Sequence, residues 1–402
     1  VNSLARPVVQ HLRDRRDPGT MTVTADFRRS EVGSMAPEAY PIFVGEYRLR
    51  STVSLSRGSG TLAGESWFIA WNGEREETKA KGEDPLDKVR ARSLPHWFVA
   101  GYGVTRFLPA PGGPPALNQP GIERLESLFQ TAHTLTSLRF IEYFSGSMAA
   151  AFKRIYKQVI TRVQELIPDI EDIELRGRGG VQSAGDLLNR NRFKVRLGPK
   201  SYKLPAVSLS HGYQSMLAWT ADLVGQVLLE RKEAIEAEQM QGLVLIDELD
   251  LHLHPKWQTA VVAALRSTFP GMQFVASTHS PAVLAGMKRD EVVSLGIDPT
   301  SGNVARMAPD PATGEWGPMT DPAQLKLCPD PRTMTGTDLY REYYNLDRIT
   351  PYPNGEMLRE YTSLATDPFR TEQEKQRLQS LGKALTSAGV RDLPPVCERS
   401  EG

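Results

Sequence analysis

Two adjacent carboxylates, Asp247 and Glu248, follow directly after the apolar run Gly242-Leu-Val-Leu-Ile. A buried strand that ends in two acids can hold Mg²⁺ with one carboxylate and activate water with the other, which is the chemistry of nucleoside triphosphate hydrolysis. The phosphate loop that normally completes such a site, G-x-x-x-x-G-K-[ST], does not occur in the 402 residues. The sequence therefore predicts one half of a nucleotide site.

Two further motifs lie on either side of these acids. Upstream, Val207-Ser-Leu-Ser-His-Gly-Tyr-Gln-Ser is a Ser/Gly turn before an apolar helix, where backbone N–H groups and the Ser210 hydroxyl could hold an anion. Downstream, Phe274-Val-Ala-Ser-Thr-His-Ser-Pro is a strand that ends in a loop containing His279. Taken singly, the first is an ordinary helix N-cap and the second holds a structural histidine. Each motif, however, lies about one helix plus one strand from the acids, so adjacent parallel strands would place Asp247 and His279 side by side.

Alternating strands and helices position these motifs. We expect a helix from Gln214 to about Ala237, a second helix from about Pro255 to Ser267, and a strand from Gln273 to Ser277. Together with the strand that ends at Asp247, they predict an α/β fold with a mostly parallel sheet. Functional loops lie at the carboxyl ends of the strands in such sheets.

The remaining segments have different periodicities. Period-two alternation from about Met21 to Arg106 predicts antiparallel strands, and Thr371 with Glu374 forms a capping box before a C-terminal helix. Between Ile122 and Ile167 the apolar residues follow a helical stripe made of Leu125, Leu128, Phe129, Phe152, Ile155, Val159, Val163 and Leu166. The predicted division has four parts: a β-rich N-terminal lobe at 1–118, a short helical insertion at 119–170, a core with the three motifs at 171–300, and a partly helical C-terminal extension at 301–402.

Composition excludes several classes of protein. The 48 basic and 48 acidic residues balance, which argues against a polyanion binder recognised by bulk charge. Two distant cysteines, Cys328 and Cys397, form neither a metal quartet nor a disulfide framework, and they fit a reducing cytoplasm. No apolar stretch approaches the roughly 20 residues of a membrane span, so we expect no membrane partner.

One local run of basic residues leaves DNA binding open. It comprises Arg176, Arg178, Arg190, Arg192, Lys194, Arg196, Lys200 and Lys203, with Asp186 as the single acid among them. Basic side chains at alternate strand positions could follow a phosphate backbone. A solvated strand face is the simpler interpretation of the same pattern.

The three motifs, in this order, resemble those of the ABC-type ATPase superfamily, in the branch with RecF-like, SMC-like and OLD-like proteins that are often described as AAA-family ATPases. Leu209-Ser-His-Gly-Tyr-Gln-Ser resembles the signature loop, Leu243-Val-Leu-Ile-Asp-Glu the Walker B strand, and Ser277-Thr-His-Ser-Pro the switch-histidine loop. The resemblance implies a P-loop NTPase fold with ATP and Mg²⁺ as ligands. His211 stands where transporters have a second glycine, which favours the non-transport branch.

The resemblance also implies roles for individual residues. Asp247 would hold Mg²⁺, often through water, while Glu248 would polarise the attacking water and His279 would contact the γ-phosphate. The signature loop, with Ser210, Gly212 and Ser215, would close over ATP held by a second copy. A dimer with ATP sandwiched at its interface is therefore expected, and the family associates such ATPases with DNA repair or with defence against phage and other foreign DNA.

The missing phosphate loop leaves two interpretations. The chain begins with Val1 rather than Met, which favours a loop carried on upstream residues over a degenerate member of the family. In either case we expect the 402 residues alone to bind ATP weakly and to hydrolyse it negligibly. The alternative function is a non-hydrolysing regulatory or scaffold subunit that controls a partner nuclease or other effector.

Overall fold

A computed structural model describes residues 20–27, 48–56, 62–69, 75–76, 98–109, 120–130, 133–162, 169–175, 191–344, 346, 354–391 and 393–397. The chain divides into two compact units, Val1–Gly286 and Met287–Gly402. The four-part division expected from the sequence stays a prediction.

The first unit contains ten strands and seven α-helices among its described residues. The strands are β1 Thr20–Phe27, β2 Arg48–Ser56, β3 Leu62–Ile69, β4 Arg75–Glu76, β5 Val99–Tyr102, β6 Ile170–Leu175, β7 Asn191–Leu197, β8 Lys200–Pro205, β9 Gly242–Ile246 and β10 Met272–Ala276. The helices are α1 Pro120–Glu126, α2 Phe140–Tyr143, α3 Gly146–Arg162, α4 His211–Arg231, α5 Pro255–Gln258, α6 Val261–Thr268 and α7 Pro281–Leu284.

These strands form three sheets. β1 to β4 pair in order as an antiparallel sheet, which confirms the expectation as far as Glu76, whereas β5 in the same segment is parallel to β9. β6, β7 and β8 form a second antiparallel sheet. The third sheet is parallel and has the order β10-β9-β5. The mixed α/β class with a parallel sheet is therefore confirmed, and the parallel strands are the ones that carry the chemical motifs.

The central strand of the parallel sheet is β9. Val244 and Ile246 are buried at 0% and 3% exposure, as expected for an apolar strand flanked on both sides by neighbours. β10 and β5 pair with it in parallel, one on each side. Met272 of β10 lies opposite Gly242, and Val99 of β5 lies opposite Leu243. All three strands therefore deliver their carboxyl ends to one edge of the sheet.

Helices α3 and α4 form much of the core. The predicted stripe is confirmed on α3, where Phe152, Ile155 and Val159 are fully buried. It is wrong at Phe129, which is 45% exposed because α1 ends at Glu126 and Phe129 lies in the following turn. The last two residues of the stripe, at 163 and 166, lie outside the described residues. Helix α4 is buried on nearly all sides, so it is a central core helix rather than an amphipathic surface one.

A buried carboxylate joins α4 to the end of β5. Asp222, on α4, is 2% exposed and accepts hydrogen bonds from the Tyr102 hydroxyl at 3.2 Å and from the Ser137 backbone N–H at 2.9 Å. Burial raises the pKa of Asp222 from its ordinary value of 3.8 to about 6, although both hydrogen bonds and the nearby His133 favour the ionised form. Ionised Asp222 is thus disfavoured in the folded protein relative to the unfolded chain.

The stability of this unit should therefore depend on the pH between about 4 and 6. The folded protein retains the Asp222 proton longer than the unfolded chain, so this contribution to stability is complete below 3.8 and is lost as the pH rises through about 6. We expect Asp222→Asn to remove this pH-dependent loss of stability, which is on the order of 1–3 kcal/mol. An amide does not titrate in this range and can still bond both partners. Thermal unfolding of both proteins from pH 4 to 7 measures the difference, and parallel curves would contradict the assignment.

The second unit has its own strands and helices. Its described elements are β11 Leu295–Ile297, β12 Val304–Pro309, β13 Trp316–Pro318, α8 Gly336–Tyr344, α9 Gly355–Thr366 and α10 Glu372–Ser387. The three strands form an antiparallel sheet in sequence order. Helices α9 and α10 pack around Tyr361, Leu378 and Leu381. The predicted capping box of Thr371 and Glu374 is present at the start of α10.

Two boundaries differ from the prediction. The helix expected from Pro255 to Ser267 is two helices, α5 and α6, interrupted at Thr259 and Ala260 without a Gly or Pro signal. Helix α4 begins three residues earlier than expected and ends at Arg231 rather than near Ala237, because Lys232 takes a left-handed conformation. Within the described part of the chain, no helix combines the length and the apolarity needed to cross a bilayer.

Candidate functional site

The carboxyl ends of β5, β9 and β10 meet at one edge of the parallel sheet. The Asp247 N–H donates to the Tyr102 carbonyl at 2.8 Å, and the Ser277 N–H donates to the Ile246 carbonyl at 2.9 Å. The structure thus places the strand ends that lead to Asp247 and His279 side by side, as their spacing predicted. Both side chains are exposed at this edge.

Ser277 links the ends of β9 and β10 by hydrogen bonds. The Ser277 hydroxyl donates to Oδ1 of Asp247 at 2.6 Å and accepts from the Glu248 N–H at 2.8 Å. The Ser277 carbonyl also accepts from the Leu249 N–H at 2.9 Å. These bonds engage one carboxylate oxygen of Asp247 and fix its direction, leaving the other oxygen as a possible ligand.

The backbone at Glu248 has an unusual conformation. Its φ of 47° is in the left-handed region, which costs about 1–2 kcal/mol for a residue with a Cβ. The carbonyl of Glu248 accepts a hydrogen bond from Nη2 of Arg106 at 2.7 Å, while Ser277 receives its N–H. The same carbonyl also accepts from the Leu251 N–H at 3.0 Å, so the strained residue is held both from outside the turn and within it.

Asp250 fixes the loop that contains His279. Its Oδ1 accepts hydrogen bonds from the Thr278 hydroxyl and, at 3.3 Å, from the His279 N–H. Nearby, the Ser280 hydroxyl donates to Oε1 of Gln258 at 2.6 Å, and Nε2 of Gln258 donates to the Leu253 carbonyl at 3.0 Å. The loop after β10 is thus bonded to the turn after β9 at several points, and the two act as one structural block.

The signature-like loop begins α4. Ser210 is the N-cap residue and is exposed, and its side chain makes no capping hydrogen bond to the described backbone. A Cβ on Gly212 would lie 2.4 Å from the His252 carbonyl oxygen, so close packing against the turn after β9 requires a glycine there. Ser215 is 3% exposed and lies in the core. The structure therefore makes Ser210 accessible, gives Gly212 a packing role, and places Ser215 away from solvent.

Three rings lie together beside this loop. Phe107, His211 and His252 have ring centroids 5.7 to 6.0 Å apart. Burial, assisted by the charges of His211 and Arg106, lowers the pKa of His252. The neutral imidazole is therefore favoured at His252, whose ring lies against that of His211 in the signature-like loop.

The donor set at the sheet edge fits Mg²⁺ that is bound jointly with a nucleotide. Among the described residues, no group of three or more His, Cys, Asp or Glu side chains could hold a metal by itself. Mg²⁺ is normally held by one or two carboxylates with water and substrate phosphates as the other ligands, and Asp247 can supply that carboxylate. Glu248 is then the neighbouring acid that can accept a proton from water.

Comparisons with known proteins identify the class of the domain that carries these residues. Residues 118–285 match a family model described as an AAA domain, putative AbiEii toxin, Type IV TA system. The Septu protein PtuA of Bacillus mycoides (strain KBAB4) is 31% identical over 204 residues, which are 50% of this chain and 25% of that protein. The Retron Vc95 probable ATPase of Vibrio cholerae serotype O1 biovar El Tor is 35% identical over 111 residues, 26% of this chain and 22% of that protein. Residues 118–285 correspond to an AAA-type ATPase domain.

The matches cover only part of the relatives of this ATPase domain. The aligned residues span about a quarter or less of the two relatives, so the activity and partners of the whole protein are matters for proposal. Among solved structures, the SMC head domain from Thermotoga maritima has a TM-score of 0.30 and 12% identity over 65% of this chain and 74% of that chain. A global likeness at that level adds nothing to the assignment.

Sequence reasoning missed several residues that hold this candidate site together. Ser277 was part of a quoted motif, but its bonds to Asp247 and Glu248 depend on the pairing of β9 with β10. Asp250 follows the predicted acids by only a few positions and could have been noticed on that ground. Arg106 lies far from them in sequence, and no local pattern marks it as part of the site.

The described part of the basic run, which lies within the matched residues 118–285, is largely paired with acids. Nζ of Lys194 and Nε of Arg196 contact the Glu171 carboxylate at 2.9 and 2.7 Å, and Lys203 pairs with Glu174. These contacts lower the pKa of Glu171 to about 2, with Lys194 first among the causes. The three arginines at 176, 178 and 190 lie outside the described residues. The described face is thus closer to charge balance than the run alone suggested.

Proposed function

We propose that this ATPase domain binds ATP with Mg²⁺ and hydrolyses the γ-phosphate through the residues at the edge of its parallel sheet. Asp247 holds the metal, Glu248 accepts a proton from the attacking water, and His279 contacts the γ-phosphate. Mg²⁺ supplies charge neutralisation at the phosphates when bound. The observation that best supports the proposal is the pair of acids held by Ser277 at the end of a buried parallel strand.

The signature-like loop belongs to the same proposal. Ser210 is exposed at the N-terminus of the 21-residue helix α4, where helix dipoles and free N–H groups favour an anion. We propose that this end of α4 contacts the nucleotide of a second copy, so that ATP gates dimerisation. Gly212 allows the loop to approach closely, whereas the buried Ser215 supports the helix from within.

The relatives suggest the biological setting. The relatives named Septu protein PtuA and Retron Vc95 probable ATPase, together with the family resemblance, support a role for this domain in defence against phage. The same resemblance leaves DNA repair as a second setting. A partner nuclease or other effector would then respond to the nucleotide state. DNA binding by the basic strand face would require its paired side chains to leave their carboxylate partners for DNA phosphates.

Phosphate release by the protein expressed from its complete coding sequence tests the proposal. We expect steady turnover with Mg²⁺ and ATP, and none when EDTA removes the metal. Binding of Mg²⁺ and ATP without any turnover would instead establish the non-hydrolysing regulatory alternative. Size-exclusion chromatography with light scattering, with and without ATP, measures the accompanying dimerisation.

A further inference from the structure

Arg106 is a buried guanidinium beneath the acidic turn. It follows β5 and is 1% exposed, which makes it one of the largest fully buried side chains of the described protein. Gly103 allows the chain to reach this position, because a Cβ there would lie 1.9 Å from the Ser127 carbonyl oxygen. The Gly103 N–H and the Gly101 carbonyl are both bonded to the Ser127 hydroxyl, at 3.0 and 2.8 Å. The segment that carries Arg106 is therefore held rigidly.

The contacts of Arg106 are unusual for a structural arginine. Its one hydrogen bond runs from Nη2 to the Glu248 carbonyl at 2.7 Å, and neither Nε nor Nη1 has a partner among the described residues. Burial lowers the pKa of Arg106 to about 10, while the charges of Asp247, Asp250 and Glu248 oppose that effect. The side chain is therefore a cation at neutral pH whose charge is balanced by the acids of the site.

A nearby arginine shows what a structural role looks like. Arg124 is 8% exposed and also bonds a backbone carbonyl, with Nε 2.6 Å from the Val99 oxygen at the other end of β5. Its Nη1 also forms an ion pair with Oε2 of Glu230 at 2.9 Å. Arg106 has no such ion pair among the described residues, and its hydrogen bond goes to the residue with the left-handed backbone. The two arginines are therefore a matched pair for experiment.

We propose that Arg106 is a positioning residue of the ATPase site, which holds the Glu248 turn by its carbonyl and supplies a fixed positive charge below the acids. The inference rests on the proposed ATPase function. If the bond is lost, the left-handed turn can relax and carry the Glu248 carboxylate away from the water it must activate. A misplacement of about 1 Å can lower a rate about 100-fold, so the effect falls on turnover more than on nucleotide binding.

The test compares Arg106→Lys and Arg106→Met with Arg124→Lys in the protein from the complete coding sequence. We expect Arg106→Lys to lower kcat about 10- to 100-fold with the KM for ATP within about threefold of wild type, since Lys keeps the charge but lacks the planar guanidinium that places Nη2 on the Glu248 carbonyl. Arg106→Met should lose more. Arg124→Lys should lower the melting temperature without changing kcat.

A double variant separates positioning from general damage. If Arg106 acts through Glu248, adding Arg106→Lys to Glu248→Gln should lower the residual rate by less than twofold, whereas independent roles would give the full additional loss. If Arg106→Met does not fold, the Lys variant still decides. Wild-type kcat in Arg106→Lys, or an equal loss of binding and turnover, overturns this proposal alone. Absence of turnover in the wild type overturns the ATPase proposal and this one together.

Discussion

Replacing Glu248 by Gln should lower ATP turnover at least about 100-fold, because a positioned general base typically contributes about 100- to 10,000-fold. Gln has nearly the same shape, and the backbone bonds to Ser277 and Arg106 do not involve the carboxylate. The turn should therefore keep its geometry and the site should still bind ATP. Phosphate release and equilibrium binding of a fluorescent ATP analogue, measured on the same preparation, separate the two effects.

This substitution should also trap the nucleotide-bound state. If ATP joins two copies, the Glu248→Gln protein should remain dimeric in Mg²⁺ and ATP while the wild type returns to monomers as it hydrolyses its nucleotide. Glu315→Gln is a matched control, since Glu315 is an exposed acid in the second unit. Turnover of Glu248→Gln within a few-fold of wild type would remove Glu248 from the proposed chemistry.

Replacing Trp219 by Ala should destabilise the first unit by about 3–5 kcal/mol, which is the usual cost of truncating a large buried aromatic side chain. Trp219 lies on α4, is 1% exposed, and has its ring centroid 5.6 Å from that of the fully buried Tyr102. The substitution opens a cavity between α4 and β5, the elements that carry the signature-like loop and Arg106. Urea unfolding followed by circular dichroism measures the loss.

Tyr202 provides the control for this prediction. It is an aromatic residue of the same unit but is 45% exposed on β8, so Tyr202→Ala should cost less than about 1 kcal/mol. A Trp219→Ala protein as stable as the Tyr202→Ala protein would mean that the α4–β5 contact does not support the fold as described.

Local patterns predicted the elements whose signal lies within one segment. The apolar run before Asp247 and the strand before His279 were placed to within a residue, and the capping box of Thr371 and Glu374 is present as expected. The parallel pairing followed from spacing, because a helix between two strands leaves few other arrangements. The roles predicted for Asp247, Glu248, His279 and Ser210 stay predictions until the experiments above are done.

Long-range contacts account for what was missed. Arg106 reaches Glu248 across 142 positions of sequence, and no local pattern encodes such a bond. Asp222 lies in a helix that is buried on nearly all sides, and its partners Tyr102 and Ser137 belong to segments far away in the chain. The break at Thr259 has no Gly or Pro to announce it. Such features depend on tertiary packing, which overrides local propensity.

The left-handed backbone of Glu248 sets two properties of the protein against each other. Glycine at this position would relieve the conformational penalty and so favour folding, but it would remove the carboxylate. An acid at this position therefore suits the proposed chemistry but fits the left-handed backbone poorly. Glycine fits the backbone best but has no side chain that could accept a proton. Selection for thermal stability alone should favour glycine at position 248, whereas selection for ATP hydrolysis should favour an acid there.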